Sequence, residues 1–273
     1  GSSATRAVAD MILLNDSFQA LPPAFTEGQR IVSGMKDILR LFMTRVISQA
    51  LLIVAIAIIG LGFPLVPKHN SLMVFLTVGI PVIGLAVWAR PRPLPRTSIL
   101  KEIAHFTIPA SITIFVFGLL VYLVTFIVVA QATVKVNVDP AFIQGFERSI
   151  GINWDISAPD QFALELGQSA AQTALTGFLV LAGLLLLVFV EPPTSWWEGG
   201  DELSGDWRPT LAALGMLVAY VAILLIEPAR TFFELLPLPF PFYVGIVAVT
   251  LVWLVVTRMA WRRRWMERYL ELE

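Results

Sequence analysis

Six continuously apolar stretches divide this chain, at about residues 46–66, 72–89, 106–130, 169–190, 210–226 and 240–257. A bilayer core is crossed by roughly 20 apolar residues in a helix, and each stretch reaches or approaches that length. The stretches do not alternate apolar with polar residues, so they exclude a transmembrane barrel, whose strands carry a period of two. In lipid every backbone N–H and C=O must be satisfied internally, and a helix does this within one segment. The expected fold class is therefore an all-α membrane protein, a six-transmembrane-helix bundle.

Composition supports that reading. The chain is 57% hydrophobic and 14% charged, against about 25% charged residues in soluble domains. With 273 residues it has no interior large enough to hide so much apolar surface, and the surplus must face lipid. A net charge of −1 argues against a nucleic-acid partner, because phosphate binding needs a basic face. The absence of cysteine excludes disulfide and thiolate chemistry.

Lys and Arg placement sets the expected orientation. With the amino end cytoplasmic, only Lys68, Lys135, Arg148 and Arg230 of the 19 Lys and Arg lie outside. Both termini are then cytoplasmic, in a multi-pass protein of the cell membrane. Arg45 is expected to snorkel to the cytoplasmic face, and Trp196, Trp197, Trp261 and Trp265 to form an interfacial aromatic belt.

A short polar region precedes the first span. Residues 11–14 (MILL) read as a buried strand, and Asn15, Asp16 and Ser17 as its turn. After Pro22 and Pro23 the pattern becomes helical, with an apolar stripe of Ile31, Met35, Ile38, Leu39 and Phe42. About thirty residues cannot build a core alone, so a larger segment before Gly1 is expected to cover them.

Residues 4–16 (ATRAVADMILLND) resemble the end of the phosphorylation domain of P-type cation ATPases, and Glu27-Gly28-Gln29-Arg30-Ile31 resembles the stalk element that follows it. The six spans resemble that family's fifth to tenth membrane helices. Thr77-Val78-Gly79-Ile80-Pro81 is similar to the sixth-helix ion-site signature, closest in form to bacterial type-E, calcium-pump-like members. Val78 stands where calcium-type pumps commonly have a ligating aspartate. The resemblance implies a remnant of the phosphorylation domain at residues 1–22, a stalk at 23–45, a membrane domain at 46–260 and a cytoplasmic tail at 261–273. It also implies that ATP and Mg2+ serve the full-length parent and that this segment binds neither. The sequence has no Asp-Lys-Thr-Gly, Walker or Gly-rich phosphate motif of its own.

Few ionisable groups lie at membrane depth, which leaves neutral oxygens as candidate cation ligands. Ser48 and Gln49 sit one turn into the first span, and Thr77 lies in the second beside Gly79 and Pro81. Pro81 lacks an N–H and frees the Thr77 carbonyl four residues before it. A freed carbonyl with hydroxyl and amide oxygens can coordinate a hard cation. Gln172 lies on a polar stripe with Gln168 and Thr176, read as helix–helix glue or the lining of an exit path. The expected function is the membrane half of an ATP-driven cation pump, calcium being the first-choice ion. Its partners are the lipid bilayer, the inorganic cation and the amino-terminal portion of the same pump. The alternatives are half of a transporter not driven by ATP, or a non-transporting scaffold or regulator derived from a pump.

Overall fold

The computed structural model describes residues 7–10, 12, 18–92, 98–134, 159–197 and 204–263. Most of the expected strand at 11–14, its turn, and the outer connection at 135–158 lie outside the described residues, as does Trp265. The described residues form α1 (Leu21–Ile59), α2 (Pro67–Trp88), α3 (Ile99–Val134), α4 (Pro159–Val190), α5 (Arg208–Leu225), α6 (Glu227–Phe232) and α7 (Phe240–Arg262). All but α6 are long and apolar enough to cross a membrane. Among the described residues there is no strand, and the expected all-α, six-helix bundle is the observed architecture.

The longest element, α1, joins the expected stalk to the expected first span without a break. Pro22 and Pro23 occupy its first turn, where the missing N–H groups have no intrahelical acceptor to serve. Its 39 residues rise about 58 Å, nearly twice a bilayer core of about 30 Å. It ends at Ile59, earlier than the expected 66, because Gly60 takes a left-handed φ of 83°. There the Gly60 N–H donates to the Ala57 carbonyl and the Leu61 N–H to that of Ile56, a paired glycine cap that satisfies the last carbonyls. The second span accordingly starts at Pro67 rather than 72.

The stalk stripe does not mark the packed face. Ile31, Met35 and Phe42 are exposed, whereas Ser33, Gly34, Lys36, Asp37, Arg40 and Leu41 are buried against the bundle. Charge pairing across helices decides the rotation of α1 in this part, as described below.

At the centre stands α4. Its most apolar window is 83% buried, against 17–39% for the other five spanning helices, and it packs against every one of them. Ala163, Gly167, Ala170, Ala171, Ala174 and Gly177 keep this helix slim. Small residues let membrane helices approach closely, where packing rather than water exclusion drives association. A Cβ on Gly167 would meet the Ala130 Cβ at 3.2 Å, so α3 and α4 are nearly in backbone contact there.

Aromatic side chains close the ends. Trp261 is fully buried, stacked on Phe106 at 4.7 Å with its Nε1–H donating to the Phe106 carbonyl. It is a core residue, contrary to its expected place in an interfacial belt. Trp196 is exposed, with the Arg258 guanidinium 4.7 Å over its ring.

Candidate functional site

The second span is irregular where the sequence places Pro81. Residues Phe75–Gly79 form one π-helical turn inside α2, and the Ile80 N–H reaches the Phe75 carbonyl five residues back. Pro81 cannot donate to the Thr77 carbonyl, and widening the turn accommodates the lost bond. The Thr77 hydroxyl donates to the Met73 carbonyl at 2.7 Å, leaving its oxygen lone pairs available.

Beside this turn lies a cavity of about 30 Å³, lined by Ser48 and Gln49 from α1, Thr77 and Val78 from α2, and Gly183 from α4. A pocket of this size holds one or two waters or one small ion, since a water needs roughly 10–15 Å³ on that measure. The cavity wall is mostly apolar, so its few oxygens are its chemistry. Gly183 sets its depth: a Cβ there would meet the Thr77 Cβ and Cγ2 at 2.8 Å.

The expected ligand candidates divide. Ser48, Gln49 and Thr77 meet at the cavity from two helices. Gly79 and Pro81 act on its backbone, through the π turn next to it, and do not line it. Gln172 is not brought to the cavity. It lies nearly two turns from the lining residue Leu179 on α4, and its Nε2 donates to the Phe63 carbonyl at 2.8 Å, pinning the turn that follows α1. The bond ties α4 to that turn rather than to a neighbouring helix.

Two groups escaped the sequence reading. Arg45 does not reach back to the cytoplasmic face; it lines the cavity, and its Nη2 donates to Asn70 Oδ1 at 2.7 Å in the first turn of α2. Its position next to Ser48 and Gln49 was the available signal.

The second group is a six-membered charge network whose member Arg40 directly precedes the cavity-lining Leu41 on α1. Lys36 Nζ lies 3.0 Å from both Glu102 carboxylate oxygens, and Arg40 Nη2 lies 3.1 Å from Glu102 Oε1. Asp37 pairs with Arg40 at 3.4 Å and with Arg92 at 3.2 Å, and Arg92 continues to Glu191. Three cations thus meet three carboxylates, tying α1 to α3, to the segment after α2 and to the end of α4. One turn or more before it, Arg30 donates to the Val87 and Ala89 carbonyls, capping the end of α2. The interleaving of Lys36, Asp37 and Arg40 with the apolar stripe was the sequence trace of this network.

Among the described residues no group of three His, Asp or Glu side chains could hold a metal ion. Any cation at the cavity would meet neutral oxygens from this chain.

No family model matches the chain. It is 28% identical over 247 residues to the calcium-transporting ATPase CtpE of Mycolicibacterium smegmatis, a match covering 87% of this chain and 26% of that protein. The CtpE protein of Mycobacterium tuberculosis is 26% identical over 208 residues, covering 72% and 22%. A probable cation-transporting ATPase of Streptococcus pneumoniae, exp7, is 28% identical over 123 residues, covering 42% and 16%. The chain spans about a quarter of the length of the first of these relatives, and less of the others. The six-helix bundle and these relatives agree with the motifs at residues 4–31 and 77–81: the chain resembles the carboxy-terminal part of a cation-transporting P-type ATPase.

Proposed function

We propose that this chain is the carboxy-terminal membrane region of an ATP-driven cation pump, and that the cavity between α1, α2 and α4 is part of its ion path. The observation that carries the proposal is the meeting of Ser48, Gln49 and Thr77 at a break in α2, in a chain related over 87% of its length to a calcium-transporting ATPase. Calcium is the proposed ion. Neutral oxygens bind a divalent ion weakly, so a carboxylate from a membrane segment preceding this chain completes the site. The same preceding portion supplies the phosphorylated aspartate and binds ATP and Mg2+. Its cycle moves the stalk part of α1, which transmits the motion to the cavity. The proposed location is the plasma membrane, with both termini cytoplasmic.

The test is cation-stimulated ATP hydrolysis by the full-length polypeptide in liposomes. Calcium should stimulate turnover, and Gln49→Leu or Pro81→Ala should reduce it at least tenfold while the protein still accumulates. A second reading, a pump-derived scaffold, is favoured by the absence of any Asp or Glu among the described residues that line the cavity. Unstimulated hydrolysis in the wild type, with no effect of either substitution, would select it.

A further inference from the structure

Among the described residues Arg45 is the one charged side chain on the wall of the cavity. It sits five residues beyond Arg40, the nearest network member on the continuous helix α1, a rise of about 7.5 Å. Its guanidinium turns away from that network and donates to the neutral Asn70 at 2.7 Å. Its Nε is buried without a partner among the described residues. A guanidinium at membrane depth is expensive and is ordinarily matched by a carboxylate, yet the cavity lining supplies none.

We propose that Arg45 sets the affinity and selectivity of the ion path, as a resident positive charge that shares the cavity's oxygens with the arriving cation. This rests on the reading of the cavity as an ion path. The physical basis is charge repulsion in a site of low dielectric, where two cations a few ångströms apart interact far more strongly than in water. Any carboxylate that completes the site from a neighbouring helix is drawn to Arg45 and to the ion alike. Entry of the ion therefore requires the guanidinium to yield, and weakly charged or loosely coordinated ions fail to displace it. The bond to Asn70 is the tie that the guanidinium must keep or break as it yields.

The experiment compares Arg45→Gln and Arg45→Lys in the full-length pump, reading the calcium concentration for half-maximal phosphoenzyme formation. Removing the charge should lower that concentration at least tenfold, whereas Lys should stay within about threefold of the wild type. A side chain that only packs the helices would, on removal, loosen the site and raise it. Neutral residues are cheaper to hold in the membrane than Arg, and Arg45→Met is the second variant should Gln fail to accumulate. An unchanged or raised half-saturating concentration in a calcium-stimulated wild type overturns the role of Arg45 alone. A wild type that calcium does not stimulate at all overturns the ion-path reading, and this inference with it.

Discussion

Thr77 shows how much of a site one residue's neighbours decide. Its hydroxyl and its freed carbonyl follow from the local sequence, because Pro81 removes a donor four positions on. The close approach of α4 does not follow from it. That approach depends on Gly183, more than a hundred positions away, where a methyl group would lie 2.8 Å from Thr77. Gly183→Ala should therefore force α2 and α4 apart, costing about 1–3 kcal/mol and enlarging the cavity. At Gly118 an added Cβ meets only the tips of Leu175 and Leu52, at 3.2 and 3.4 Å, side chains able to turn aside. Gly118→Ala should cost under about 1 kcal/mol. Thermal unfolding in detergent compares the two, and equal losses would remove the special role assigned to Gly183. Among the candidate ligands, Ser48, Gln49 and Thr77 were legible as polar residues inside apolar runs. Arg45 was legible as a residue but not as a lining group, since its direction depends on Asn70 in another helix.

At the scale of elements, α1 is where local pattern and tertiary packing part. The period of Ile31, Met35, Ile38, Leu39 and Phe42 correctly announces a helix, and Pro22 with Pro23 correctly announces its start. The same stripe misstates which side packs, because Lys36 and Arg40 find Glu102 on α3 and Asp37 finds Arg92 after α2. A buried charge left without its partner costs more than an exposed Met or Phe gains by burial. Asp37→Asn leaves three cations facing two carboxylates in a buried setting, and should destabilise the bundle by about 3 kcal/mol. Lys36→Arg, which keeps the charge, should cost less than half of that. Thermal unfolding of the two variants in detergent checks the ranking, and equal stability of Asp37→Asn and the wild type would show that the network contributes nothing. The network lies where α2 ends and α4 ends, and joins α1 to the helices that border the cavity.

For the whole molecule, orientation is the testable consequence of the charge distribution. Arg30, Lys36, Arg40, Arg90 and Arg92 cluster at one end of the bundle, the end the positive-inside rule assigns to the cytoplasm. The chain has no cysteine, so single-cysteine variants report cleanly. Lys68→Cys, exposed at the start of α2 at the opposite end, should react with a membrane-impermeant thiol reagent in intact cells. Ser98→Cys, exposed near the charged end, should react only after lysis; the reverse pattern would invert the topology.

The sequence by itself determined the number of spanning helices and their all-α character, because lipid leaves the backbone no other way to satisfy its hydrogen bonds. It also determined the break at Pro81, because proline lacks a donor whatever surrounds it. Only the tertiary structure decided which helix stands at the centre. The central α4 is about as apolar as the more exposed α3, so apolarity cannot separate a helix buried in protein from one buried in lipid. What separates them is shape: Gly167, Ala170, Ala174, Gly177 and Gly183 let neighbours close on α4 from every side, and that contact exists only once all six helices are in place.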